Sequence, residues 1–246
     1  SFNVRPGVRI EVFEQERIDR LAGSTYLDKT TSTILPGVGF ISELRGFNLF
    51  GGVHRGFTPP SSGALKILNF GDNVSSGGLD LKAEKSWNKE LGIRGTLSLI
   101  EYEFAGFHID IENLVAAGRG TAFKNLGKIT SQGLEARMGI TLSQISLLLP
   151  DVHVSYAFLS TEVKDATIIS NVSGSVGSEI SIKGKELPYS PNHTLTAGLE
   201  FKPISNLQLR TDLRFVSKAY TDFENIELNG RPDPTGVSGS IPEYRD

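Results

Sequence analysis

The sequence contains no cysteine, which removes disulfide frameworks, thiolate metal sites and cysteine nucleophiles together. It has no surplus of charge: 25 Lys and Arg stand against 28 Asp and Glu, a net charge of −3. A nucleic-acid binder would show a basic excess, so no nucleic-acid partner is expected. Long apolar runs are missing too. Uncharged stretches such as Met138 to Pro150 stop well short of the roughly 20 residues a transmembrane helix needs. With 27 glycines and 11 prolines, long uninterrupted helices cannot dominate. The ends lack punctuation as well. Ser1 opens without a charged and apolar leader, and Ile241 to Asp246 stops without a turn or cap. Both ends read as those of a piece of a longer protein.

Chemistry-bearing motifs are equally scarce. Nothing matches a phosphate loop, a nucleophile elbow or a zinc helix. His54, His108, His153 and His193 lie on separate segments without ligand spacing. His108, Asp110 and Glu112 would share one strand face, but residues at i, i+2 and i+4 are about 7 Å apart there. That is too splayed for one ion without a second strand, so they read as ordinary polar residues of a lumen. No cofactor, no resident metal and no enzymatic activity are expected.

What is present is period-2 alternation, recurring nine times. Val4, Pro6, Val8, Ile10 and Val12 oppose Arg5, Gly7, Arg9 and Glu11. Trp87, Leu91, Ile93 and Leu97 oppose Asn88, Glu90, Arg94 and Thr96. Ala105, Phe107, Ile109 and Ile111 oppose Gly106, His108, Asp110 and Glu112. Leu134, Ala136, Met138, Ile140 and Leu142 oppose Glu135, Arg137 and Thr141. Further runs follow at Val152–Phe158, Leu195–Phe201 and Leu207–Phe215. Thr31–Glu43 and Phe47–Phe57 alternate more weakly because glycines interrupt them, and Leu35, Gly37 and Gly39 fit only loosely.

Alternation alone suits a soluble sandwich or a membrane barrel. Two features favour the barrel. The runs exceed the five or six residues usual in soluble strands, and long and short connections alternate throughout. The expected fold is therefore all-β: an antiparallel transmembrane β-barrel fragment of about nine strands, with long extracellular loops and short periplasmic turns. Its polar face carries Arg9, Glu11, Glu90, Arg94, Glu135, Arg137, Arg210 and Asp212, which would line the lumen. Lys66, Arg119, Lys124, Lys164, Lys183, Lys185 and Arg231 fall in the long segments. With His54, Arg214 and Lys218 they supply the candidates for contact with an anionic ligand. The bland alternative is solvation, or contact with lipid phosphates at the rim.

The run Phe47-Asn-Leu-Phe-Gly-Gly-Val-His-Arg-Gly-Phe-Thr-Pro-Pro60 resembles a barrel strand and loop of TonB-dependent outer-membrane receptors. The resemblance continues in order. Leu81-Lys-Ala-Glu-Lys-Ser-Trp-Asn-Lys-Glu-Leu-Gly-Ile-Arg94 looks like the next strand, with Ala83 where the family has proline. Phe107–Leu114, Asn125–Gly127 with Gly133–Glu135, Leu187–His193 and Ile241–Tyr244 follow. The wording around Gly52 to Pro60 is closest to receptors of the ferric-dicitrate type.

The resemblance implies a barrel of about 22 strands, of which these would be roughly the eleventh to nineteenth. A plug domain and C-terminal strands would lie outside this sequence. It further implies import of an iron chelate or siderophore across the bacterial outer membrane, energised by the TonB complex through the plug. The lumen charges would then face the plug. A passive porin, a soluble β-sandwich adhesin and an outer-membrane enzyme are the alternatives.

Overall fold

A computed structural model of the chain describes residues 1–19, 24–60, 69–70, 73–74, 81–116, 124–170, 175–204, 206–226, 240–241 and 244–245. Nine tall strands form one antiparallel meander. They are β1 (Phe2–Asp19), β2 (Ser24–Leu44), β3 (Phe47–Thr58), β4 (Glu84–Leu97) and β5 (Ile100–Glu112). β6 (Lys128–Ile140), β7 (Asp151–Asp165), β8 (His193–Ile204) and β9 (Leu207–Val216) complete them. A short tenth strand, β10 (Tyr244–Arg245), pairs with β9. Each strand bonds its sequence neighbour, so the sheet is a single layer and not a sandwich.

The connections alternate as the sequence suggests. At one end lie Arg45-Gly46, with Gly46 in the left-handed region at φ 87°, and Ser98-Leu99, with Ser98 at φ 54°. At the same end Thr141–Pro150 carries a short 3-10 turn, Leu142–Gln144. There Ser143 donates both its N–H and its Oγ–H to the Asp151 carboxylate, each at 2.8 Å. The long connections gather at the other end.

Direct partners in an antiparallel ladder share a face, so the register sorts the side chains. One face runs Val4, Phe40, Gly51, Leu91, Gly106, Leu134 and Phe158 across β1 to β7. It carries bare apolar side chains: Val8 is 68% exposed, Ile10 70%, Leu134 60% and Leu213 52%. A sheet that exposes such a face to water would aggregate, and hydrocarbon removes the penalty. The register of β2 is now plain. Ile34, Pro36, Val38 and Phe40 join the apolar face, while Leu35 and Gly39 stand opposite Arg9 and Arg5.

Two expectations need correction. The alternation of Ala105, Phe107, Ile109 and Ile111 does not mark the lipid face. Phe107 pairs with Glu90 and Gly133, and Ile109 with Asn88 and Ser131, all on the charged side. His108, Asp110 and Glu112 therefore point outward, beside Lys89, Trp87 and Lys85, and are not lumen residues. The cause is height. Above the apolar belt the outer face meets water and headgroups, whereas on the inner face Ile111 packs against the small core at the long-loop end, so the sign of the alternation reverses.

The second correction concerns loop length. The segment between Phe13 and Thr31 is largely strand, with Glu14 paired to Thr30 and Glu16 to Asp28. Lys164 likewise belongs to β7 and not to a loop. Outside the bilayer a ladder needs only its backbone hydrogen bonds, so pairing continues where alternation has ended.

The small buried core sits at the long-loop end. Ile129 and Val163, paired in register, meet Leu126, Ala166, Ile168 and Ile182. Val163 and Ile182 are fully buried. The ribbon formed by Thr167–Ile169 and Glu179–Ser181 folds over this core.

Candidate functional site

The charged face is organised in register rows. One row runs Asn48, Arg94, Glu103, Arg137, Ser155, Thr196 and Arg214 across seven strands. Arg94 stacks 5.4 Å from the centre of the Phe50 ring. Arg137 lies 3.9 Å from Glu135 on its own strand. Arg9 and Glu11 form an ion pair on β1. Arg9, Arg94 and Arg137 each have an acidic or aromatic neighbour, which fixes the direction of the side chain without spending all its donors.

The adjacent row places His153, Gly198 and Asp212 side by side on β7, β8 and β9. His153 Nε2 reaches Asp212 Oδ1 at 2.9 Å, passing over Gly198. Arg210 clamps the same carboxylate, with Nε 2.8 Å from Oδ2 and a terminal nitrogen 3.2 Å from Oδ1. Three side chains from two non-adjacent strands thus form one polar cluster on the wall.

Above the wall, the loops are fused into a platform. Ile182 is a buried peg, and the Lys183-Gly184 turn beside it docks on β7. Gly184 N–H donates to Val163 O, and Val163 N–H donates to Lys185 O, both at 2.8 Å. Lys183 is exposed and Lys185 half-buried. Ser170, fully buried, donates to Glu224 at 3.0 Å. Asn225 accepts from Glu186 N–H at 2.6 Å and donates back to Glu186 O at 3.0 Å. Segments 166–170, 175–192 and 217–226 are therefore joined by hydrogen bonds.

The candidate residues separate into three groups. Arg9, Glu11, Glu90, Arg94, Glu135, Arg137, Arg210, Asp212, Arg214 and His54 share the charged face by register. Lys183 and Lys185 stand on the platform, and Lys218 follows β9, exposed. Lys66, Arg119 and Arg231 lie outside the described residues, as does the side chain of Lys124. Among the described residues no group of three His, Asp or Glu is placed to hold a metal. Among the described residues His108 hydrogen-bonds with Asp110 and Gln132, at 3.0 and 3.2 Å.

Sequence reasoning missed Glu103 and His153. Glu103 completes the charged row between Arg94 and Arg137. Its signal was present, because Glu101 and Glu103 alternate with Tyr102 and Phe104 below the point where the pattern reverses. His153 could not have been found, because its partner lies 59 residues away.

A tall, single-layer antiparallel meander with one lipid-type face, one charged face, short turns at one end and folded loops at the other is the wall of a transmembrane β-barrel. The chain matches the family model described as TonB dependent receptor-like, beta-barrel over residues 1–240. It belongs to that family, an outer-membrane family of transporters and not of enzymes. Among solved structures it is similar to the ferric citrate transporter FecA in its unliganded form. Identity is 21%, the TM-score 0.72, and coverage 99% of this chain and 34% of that one. It is also similar to the siderophore receptor PiuA from Acinetobacter baumannii, at 13% identity, TM-score 0.69, and coverage of 99% and 33%. The copper transporter OprC follows at 14% identity, TM-score 0.68, and coverage of 99% and 35%. The chain thus spans about a third of the length of these structures.

Proposed function

We propose that this chain is a sector of the barrel of an outer-membrane receptor that imports an iron chelate, with ferric citrate the preferred class. The observation that carries the reading is the pairing of a charge-lined inner wall with a hydrogen-bonded loop platform above it, on which Lys183 and Lys218 are exposed beside the half-buried Lys185. An anionic chelate is drawn to Lys183, Lys185, Lys218 and the further loop cations by local field and charge-assisted hydrogen bonds. Arg94, Glu135, Arg137, Arg210 and Asp212 keep spare donors and acceptors for a polar plug, which closes the lumen to leakage.

The plug and remaining strands belong to the part of the receptor outside this chain, and TonB acts on the barrel through that plug. The preference for ferric citrate is supported by the Gly52 to Pro60 run and by the likeness to a ferric citrate transporter. The test is uptake of radiolabelled ferric citrate by cells grown under iron limitation. Deleting the gene is expected to lower that uptake, and deleting TonB to abolish it. Uptake that survives the loss of TonB rejects the import mechanism, and uptake of a different chelate alone rejects citrate.

A further inference from the structure

The lipid-side face of the wall is not smooth. Gly106 has no side chain, while its register partners Leu91 and Leu134 project on either side. Together with Val38, Phe40, Val53 and Phe158 they shape an open trough of about 730 Å³. Its edge toward the long-loop end is polar. The next register row reads Val38, Val53, Lys89, His108 and Gln132, and the last three also line the trough.

Asp110 orders that edge. Its Oδ2 accepts from Lys89 Nζ at 3.0 Å, and its Oδ1 lies 3.0 Å from His108 Nε2. His108 Nδ1 lies 3.2 Å from Gln132 Oε1. This arrangement leaves two ammonium N–H groups of Lys89 and at least one amide N–H of Gln132 as donors at the rim. Just above, Arg55 bonds Glu112 at 3.2 Å and lies 5.3 Å from the centre of the Trp87 ring. Lys85 and Lys128 flank Glu112 in register and Asp165 pairs with Lys128 on its other side, so Arg55, Lys85, Lys89 and Lys128 face Asp110, Glu112 and Asp165, a surplus of one cation. Glu162 and Lys164 farther along pair with each other.

We propose that this trough is a docking site for an anionic membrane lipid, whose acyl chain lies over Gly106 between Leu91 and Leu134 and whose phosphate is bound by Lys89 and Gln132. The order of the surface decides the occupant. Apolar trough, then donor edge, then cationic surplus repeats the order of acyl chain and phosphate headgroup in the leaflet on the long-loop side. Phosphate oxygens are the acceptors that Lys89 and Gln132 lack, and the charge-assisted bond to Lys89 is the stronger of the two. The inference rests on the chain being part of an outer-membrane barrel.

The experiment uses the full-length receptor, delipidated in mild detergent. It is offered phosphatidylglycerol and phosphatidylcholine with identical acyl chains in equal amounts, and bound lipid is counted by native mass spectrometry. Preferential retention of phosphatidylglycerol is expected. Gly106→Leu, which fills the trough, and the double change Lys89→Met with Gln132→Leu are each expected to reduce it about tenfold, or 1.4 kcal/mol. A conservative Ile10→Leu change on the same face controls for folding, and heat-modifiable migration on gels reports a closed barrel. Equal retention of both lipids, unchanged retention in the variants, or occupancy of the face by a second receptor copy overturns the proposal. A receptor that stays soluble without detergent and takes up no lipid instead overturns the barrel reading beneath it.

Discussion

His153 and Asp212 stand on strands that are not neighbours, yet their side chains meet at 2.9 Å because Gly198 between them has no side chain. A Cβ built at Gly198 would run into the His153 ring and the Asp212 carboxylate. The glycine is therefore a gap through which β7 is tied to β9. Gly198→Val is expected to break the tie and destabilise the full-length barrel by about 1–3 kcal/mol, the usual range for overpacking. Thermal unfolding of the purified receptor checks this, and an unchanged midpoint would sink the structural role given to the bridge.

A second glycine relation lies on the inner face of β5 and β6. Phe107 lies across Gly133, and a Cβ there would press on the ring and on the Phe158 carbonyl. Phe50 covers Gly92 in the same manner. Gly133→Val is expected to cost about 1–3 kcal/mol, and Gly133→Val with Phe107→Ala only part of that. The residual cost comes from the backbone contact, which no change at Phe107 relieves. Equal losses for single and double variants would show that the ring is not the obstacle.

Adjacent residues on β5 provide a test of the faces. Phe104 stands on the apolar side and Ala105 on the charged side. Phe104→Arg is expected to cost about 2–4 kcal/mol if near the bilayer midplane, while a lumen substitution is tolerated. Ala105→Arg is therefore expected to leave folding into lipid vesicles within about 1 kcal/mol. The reverse order of the two losses would overturn the assignment of sides.

The loop platform predicts a local effect. Ile182 is fully buried and belongs to the small core with Ile129 and Val163. Ile182→Ala is expected to cost the platform about 2–5 kcal/mol. Hydrogen exchange would then speed up at Val163, Gly184 and Lys185, whose backbone bonds hold the turn on β7. Exchange in the belt, at Leu134 to Ile140, should not change, because the platform opens separately from the membrane ladder. Exchange rising equally in both regions would contradict a separate platform.

Much of the wall was legible in advance because membrane strands carry a local signal. Val4 to Val12 and Leu134 to Ile140 must alternate wherever lipid touches one side, and the alternation needs no knowledge of partners. The same rule misled on β5. Phe107, Ile109 and Ile111 alternate as well as any lipid-facing run, but they stand on the inner face, where Phe107 lies across Gly133 and Ile111 packs against the loop core. A period of two states that the faces differ. It does not state which face is which once the strand has left the bilayer.

The candidate residues divide in the same manner. Arg94, Glu135, Arg137, Arg210 and Asp212 could be assigned to the charged face in advance because polarity within a strand is local. The bridge from His153 over Gly198 to Asp212, and the donation from Ser170 to Glu224, join residues 59 and 54 positions apart. No spacing rule reaches that far, because strand register is set by the whole ladder.

The sequence by itself determined the class: no cysteine chemistry, no membrane helix, one apolar and one charged face, and the order of motifs that marks the family. Those properties follow from composition and from a side-chain period of two, both readable along a single chain. The tertiary structure alone decided the height at which the faces reverse, the outward position of His108 and Asp110, and the fusion of two loops into one platform. These depend on which strands lie side by side and where the ladder meets water, and that is a property of the assembled sheet.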